Sequence, residues 1–119
     1  MKATSIFQFI AYEGAPADSR HIQAFDLRVE NQGEDEFDIL IQGESKAGAN
    51  TLKLHHMYPA STGSKSKVTV NEVPTNFGPF SLQLVTNIND ASKTAVTLFA
   101  KNNGSVIAIF TQQHFSILD

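Results

Sequence analysis

Four histidines, His21, His55, His56 and His114, are the side chains of this chain that titrate near neutrality, so acid–base or metal chemistry would start from them. His55 and His56 are adjacent, and adjacent residues on a strand point to opposite faces, so the pair does not chelate one ion. A cupin-type centre wants two histidines separated by one residue and then a glutamate, but no acid follows His56 before Ser66. That leaves a centre assembled across the fold from His21, His55 or His56, and His114, set against one core histidine and three surface ones. The spacings favour the second reading; no cofactor is expected and the sequence assigns no metal.

Carboxylates gather at Glu34, Asp35, Glu36 and Asp38, and more thinly around Asn87, Asn89 and Asp90. Calcium takes such oxygens from turns, but the spacing is not that of an EF-hand, and a charged turn tip is ordinarily just solvated. The serines have no Gly-x-Ser-x-Gly elbow, and the glycines form no phosphate-cradling loop ahead of a helix. No cysteine supplies a nucleophile, a thiolate ligand or a disulfide. The chain reads as a non-enzyme, with a metal-dependent cupin-like activity the one enzymatic route left.

Sugar binding needs exposed indole or phenol faces. There is no Trp, the tyrosines are Tyr12 and Tyr58, and nine Phe make up the rest of the aromatic content. The best polar ligand site the sequence offers is the breaker-rich stretch 58–66, where His56, Tyr58, Ser61 and Thr62 would line a small surface.

Any such site must be positioned by strands. Segments 5–12, 21–30, 37–43, 51–57, 67–71 and 80–88 alternate apolar and polar residues with period two and are bounded by Gly, Pro, Asn and Asp. Phe25, Leu27 and Val29 oppose Asp26, Arg28 and Glu30, and Phe37, Ile39 and Ile41 oppose Asp38, Leu40 and Gln42. With Asn31–Asp35 between them, these two arms read as an antiparallel hairpin. In 51–57 the leucines put Leu52, Leu54 and His56 inward and His55 outward. Segments 46–50 and 58–66 read as loops, and 73–79 as a crossing loop because Pro74 and Pro79 remove two donors.

The most strongly patterned stretch is 93–118, two β-branched and aromatic runs joined by Asn102-Asn103-Gly104, residues that accept the positive φ of a tight hairpin. Both arms are apolar on both faces. No helical periodicity with start and stop signals exceeds about ten residues. Eight short strands on 119 residues give a single all-β domain, an antiparallel sandwich of jelly-roll or Greek-key kind.

Net charge is −3 and the lysines are scattered, so the field that draws in nucleic acid is missing. No run approaches the roughly 20 apolar residues of a spanning helix, which argues against membrane insertion. The start, Met1-Lys2 with ATSIFQFIA and then Ala15-Pro16-Ala17, has the outline of a leader, but Thr4, Ser5 and Gln8 interrupt it as a strand would. The apolar residues of the chain's two ends exceed what one face per strand hides. Ile6, Ile10 and Tyr12 near the start, and Ile107 and Ile109 near the end, are therefore expected to meet copies of the same chain. The functional expectation is a self-associating structural subunit of a fibre, appendage, sheath or coat; the alternative is a monomeric sandwich that binds carbohydrate or calcium.

Overall fold

The computed structural model describes residues 3–46, 48–89 and 91–118; Met1, Lys2, Ala47, Asp90 and Asp119, on which parts of the leader and turn readings fall, lie outside them. Nine strands follow one another: β1 (Ala3–Ala11), β2 (Ala24–Asn31), β3 (Phe37–Ser45), β4 (Gly48–Met57), β5 (Lys67–Pro74), β6 (Phe80–Asn89), β7 (Thr94–Asn102), β8 (Ser105–Thr111) and β9 (Ser116–Leu118). They form two antiparallel sheets, ordered β4-β3-β6-β1-β9 and β5-β2-β7-β8, which is the all-β sandwich the alternation implies.

The period-two pattern decides what lies between the layers. Phe7, Phe9 and Ala11 of β1, Phe25, Leu27 and Val29 of β2, and Phe37, Ile39 and Ile41 of β3 are buried, as are Leu82 and Leu84 of β6 and Val96, Leu98 and Ala100 of β7. Phe25 stacks on Phe80 with centroids 5.4 Å apart, and Phe9 touches Phe80, Phe110 and Phe115. The β7–β8 hairpin closes through Asn103-Gly104, with φ of +53° and +81°, the two positive values a two-residue turn of matching twist requires.

Several readings from the sequence are corrected. The arms 24–31 and 37–45 are not a hairpin: β2 pairs with β5 and β7, and β3 pairs with β4 and β6 in the other sheet. Their buried faces are opposite walls of one core, and alternation reports which face is buried but not which layer carries it. The chain turns this corner around the buried Asn31. Its Nδ2 donates to the carbonyls of Asp35 at 2.8 Å and Tyr58 at 3.0 Å, and its Oδ1 accepts the Gly33 N–H at 3.0 Å.

In β4 the inward set is not Leu52, Leu54 and His56. Thr51 stands opposite Gln42 and Lys53 opposite Ile41, so Leu52 is an extra residue, a β-bulge that slips the side-chain alternation by one. Leu52 packs against the core and Met57 is fully buried, while Leu54 is 70% exposed on the outer face. His55 pairs with Ile39 on the inner side, and His56 faces out opposite Asp38. The strand also begins earlier than its apolar residues do, since Gly48 to Asn50 pair with Ser45 to Gly43 and so belong to the ladder rather than to a loop.

The stretch 73–79 is not all crossing loop, because β5 continues to Pro74. It is an edge strand, and a proline at its last position withholds no ladder donor. Residues 58–66 are not an open loop either but contain a 3-10 helical segment, Ala60–Ser66, kinked at Gly63.

Lastly, 105–118 is two strands. The chain leaves β8 through a 3-10 turn, Gln112–His114, and crosses to the other sheet as β9, with Phe115 buried at the crossing.

Candidate functional site

The outer face of the β4-β3-β6-β1-β9 sheet carries a feature that only register reveals. Leu54 pairs with Leu40, Leu40 with Val85, Val85 with Ile6, and Ile6 with Leu118. One apolar row therefore crosses all five strands. Leu54 is 70% exposed and Leu118 46%, with Leu40, Val85 and Ile6 half-buried between them. The next row is Thr51, Gln42, Gln83, Gln8 and Ser116, polar but uncharged. Two adjacent rows across the sheet thus hold no ionisable group, and among the described residues charge returns at the ends of the face, with His56 and Asp38 beyond one row and Glu44 beyond the other. Ile10 and Tyr12, each about half exposed, extend the apolar surface along β1.

Of the residues expected to mediate self-association, Ile6, Ile10 and Tyr12 lie on this face. Ile107 and Ile109 do not. They belong to β8, the edge of the other sheet, where Ile109 pairs with the outward Phe99 and Val106 with Lys101. Val106, Ile107 and Ile109 are each about half exposed. A bulge between Val106 and Ala108 accounts for the consecutive exposed pair Val106-Ile107. Beside them Arg28 lies 5.3 Å over the Phe99 ring, and Lys101 bridges Asp26, at 3.2 Å, and Glu72. The sandwich therefore carries two apolar surfaces on its opposite sides.

The ligand surface expected around His56, Tyr58, Ser61 and Thr62 lies on the turn formed by 32–36 and the Ala60–Ser66 segment, and all four residues are exposed. His56 Nε2 meets Glu36 Oε1 and Nδ1 meets Asp38 Oδ1, both at 2.7 Å, and the Tyr58 ring stands edge-on at 4.7 Å. Ser61 Oγ donates to Glu34 Oε2 at 3.1 Å, and Thr62 Oγ1 donates to the Pro59 carbonyl at 2.6 Å. His56, Ser61 and Thr62 are thus bonded within the chain. The two carboxylates approach opposite edges of the imidazole and do not converge on a point an ion could occupy. Among the described residues no three His, Asp or Glu side chains are grouped as a metal would need, and no helix is long and apolar enough to cross a membrane. His21 sits in the 3-10 turn Ser19–His21, and His114 Nδ1 accepts the Thr111 N–H at 3.0 Å.

A carboxylate oxygen stands 2.7 Å from each ring nitrogen of His56, an arrangement that favours the charged form of the ring. Its pKa is raised above the ordinary 6.5, first by the hydrogen bond to Glu36 and then by that to Asp38. A raised value means that the ion pairs' contribution to stability is fully present below 6.5, as long as both carboxylates are ionised, and is lost as pH climbs from 6.5 through the folded value. Following the His56 ring by NMR should therefore give a midpoint above 6.5, and Glu36→Gln should lower it more than Asp38→Asn. A wild-type midpoint at or below 6.5 would contradict the clamp.

Sequence reasoning missed one further feature. A cavity of about 360 Å³ opens at the end of the sandwich between the β3–β4 turn and the segment 73–82. Its apolar walls include Leu52 and Val73, whose orientation depends on bulges that hydropathy patterning does not announce; the nearest signals in the sequence are Gly43, against which Leu52 lies, and the Pro74 and Pro79 pair.

No family model matches the chain, and no curated protein matches it. Among solved structures it is similar to Thermotoga maritima 1070, with a TM-score of 0.45 and 11% identity over 92% of this chain and 90% of that one.

Proposed function

We propose that this chain is a self-associating structural module, a subunit of an extended assembly such as a fibre, appendage, sheath or coat. The observation that carries the reading is the uninterrupted row Leu54, Leu40, Val85, Ile6 and Leu118 across five strands. Monomeric proteins seldom leave contiguous apolar surface of this kind, and interface centres are depleted of charge as these two rows are. Four strands of nine or ten residues spaced by about 4.8 Å and rising about 3.4 Å per residue, with the three-residue β9 beside them, give a footprint on the order of 400 Å² before side-chain relief, about half of the ~800 Å² each partner gives in a standard interface.

The second surface, on β8, lies on the opposite side. When two different patches face away from each other, a contact between one and the other repeats without closing, so the expected product is an open array. The absence of native cysteine gives a clean test of the face itself. In a Leu54→Cys chain, the rate of maleimide labelling should fall as unlabelled wild type is added in excess, whereas a Ser64→Cys control on the 3-10 segment should label at a constant rate. Equal, constant rates at both positions would count against burial of the row.

A further inference from the structure

The end cavity lies apart from both apolar faces, and three independent departures from regular structure build it. On one wall, the β4 bulge turns Leu52 inward; with unbroken alternation from the buried Met57, Leu52 would point to solvent. On the facing wall, Leu27 pairs with Val70 and Phe25 with Val73, so β5 also carries an extra residue, and this turns Val73 inward. Glu72 adopts a φ of +56° to make that bulge, and its N–H donates to Asp26 Oδ1 at 2.7 Å. The third departure is at the lining residue Asn76, which with its neighbour Phe77 has φ of +51° and +65°. The N–H groups of Thr75 and Asn76 donate to the Gln23 carbonyl and that of Phe77 to the Ile22 carbonyl, all at 2.9 Å, which holds the strained pair in place.

Bulges recur where a side chain is re-aimed beside a site, and left-handed non-glycine residues persist where surrounding structure over-determines them. Here two bulges on facing edge strands border one space, and Asn76, one of four left-handed non-glycine residues among those described, lines it. Glu72 and Phe77, two of the others, stand next in the chain to the lining residues Val73, Asn76 and Gly78. We propose that this cavity binds a small uncharged molecule with a compact aromatic body and one hydrogen-bonding edge. The floor is the Phe25–Phe80 stack with Leu82, which suits a flat apolar body. At the mouth, the Asn50 and Asn76 amides offer both donors and acceptors. Glu44 and Lys46 also stand at the mouth with opposite signs, so a net charge of either sign gains no matching field and still loses hydration on entry. The volume is at the small end of ligand pockets.

Indole is a suitable probe because it is flat, neutral and carries a single N–H. Titrated into the isotopically labelled full chain, it should give saturable NMR shifts at Phe25, Leu52, Val73 and Leu82, with benzoate and glucose each at least tenfold weaker. Leu52→Trp, which fills the space, should weaken indole at least tenfold. The proposal is overturned if indole produces no saturable shift up to its solubility limit, if the shifts centre on Leu54 and Leu118 instead, or if benzoate or glucose binds as tightly. If the tryptophan variant fails to fold, the wild-type shift map is sufficient to separate these outcomes.

Discussion

Lysine in place of Leu54 and Leu118 together is expected to keep the chain at its 13.0 kDa monomer mass at concentrations where the proposed self-association raises the mass of the wild type. Both side chains stand on the outer face, 70% and 46% exposed, so neither contributes much to the core of a single subunit. Substitutions at such positions change stability by about 0.5 kcal/mol or less each, so the pair moves the thermal midpoint of a domain this size by about 6 °C at most. In an assembled interface the same two ammonium groups lose their hydration at the ends of an apolar row that offers no counter-charge. An effective penalty of several kcal/mol per buried ion weakens association by at least about 100-fold. Sedimentation velocity on wild type and variant, with Ser64→Lys as the surface control, separates the two effects. Loss of association in the control as well would assign the effect to net charge rather than to the row.

Asn31→Asp is expected to destabilise the fold by about 3 kcal/mol at pH 7, with no direct effect on the outer face. The side chain is buried, and its amide nitrogen donates to the Asp35 and Tyr58 carbonyls while its oxygen accepts from Gly33. Replacing the amide by a carboxylate of the same shape removes both donors and sets an anion against two carbonyl oxygens, so buried groups are left unsatisfied on either side. Burial and those oxygens raise the variant's carboxyl pKa in the folded state. Because the folded value then exceeds the unfolded one, the penalty grows as pH rises through the carboxyl's range and shrinks at acid pH, where the O–H can donate one of the two lost bonds. Urea unfolding at pH 7 and pH 4.5 tests both parts, with Asn31→Ala expected between wild type and the aspartate variant at pH 7. A loss that is the same at both pH values would show that lost shape, not lost donors, is responsible.

Asn31 also shows where sequence reading stops. The strands of this chain are legible because each buries one face, and period-two alternation in 24–31, 37–45 and 80–88 states which face, whereas 94–102 is apolar on both faces and is legible only as a strand. The β7–β8 hairpin is legible because Asn103-Gly104 has the turn chemistry for it. Layer assignment is not, since an arm buried from above and an arm buried from below carry the same pattern; whether 32–36 closes a hairpin or turns a corner depends on contacts from Asn31 to residues up to 27 positions away. The faces of β4 are misread for a related reason. Leu52 and Leu54 look like one stripe, and a single bulged residue puts them on opposite sides.

For the site, exposure of Ile10, Tyr12, Ile107 and Ile109 agrees with the excess of apolar residues at the two ends of the chain. What the sequence withholds is that the two groups occupy opposite surfaces, and that Leu54, Leu40 and Val85 from the middle of the chain complete the row begun by Ile6. Row membership is a property of register, which no single strand contains. The end cavity is hidden more thoroughly, because it exists only through two bulges and the left-handed residues beside them.

If other copies of the chain cover the uncharged face of the five-stranded sheet, static light scattering on the unmodified protein across two decades of concentration will register it without any substitution. The mass should climb above 13.0 kDa and continue past the dimer without a plateau. A constant 13.0 kDa from the lowest to the highest concentration would mean that the face stays bare and that the chain is not a self-assembling subunit.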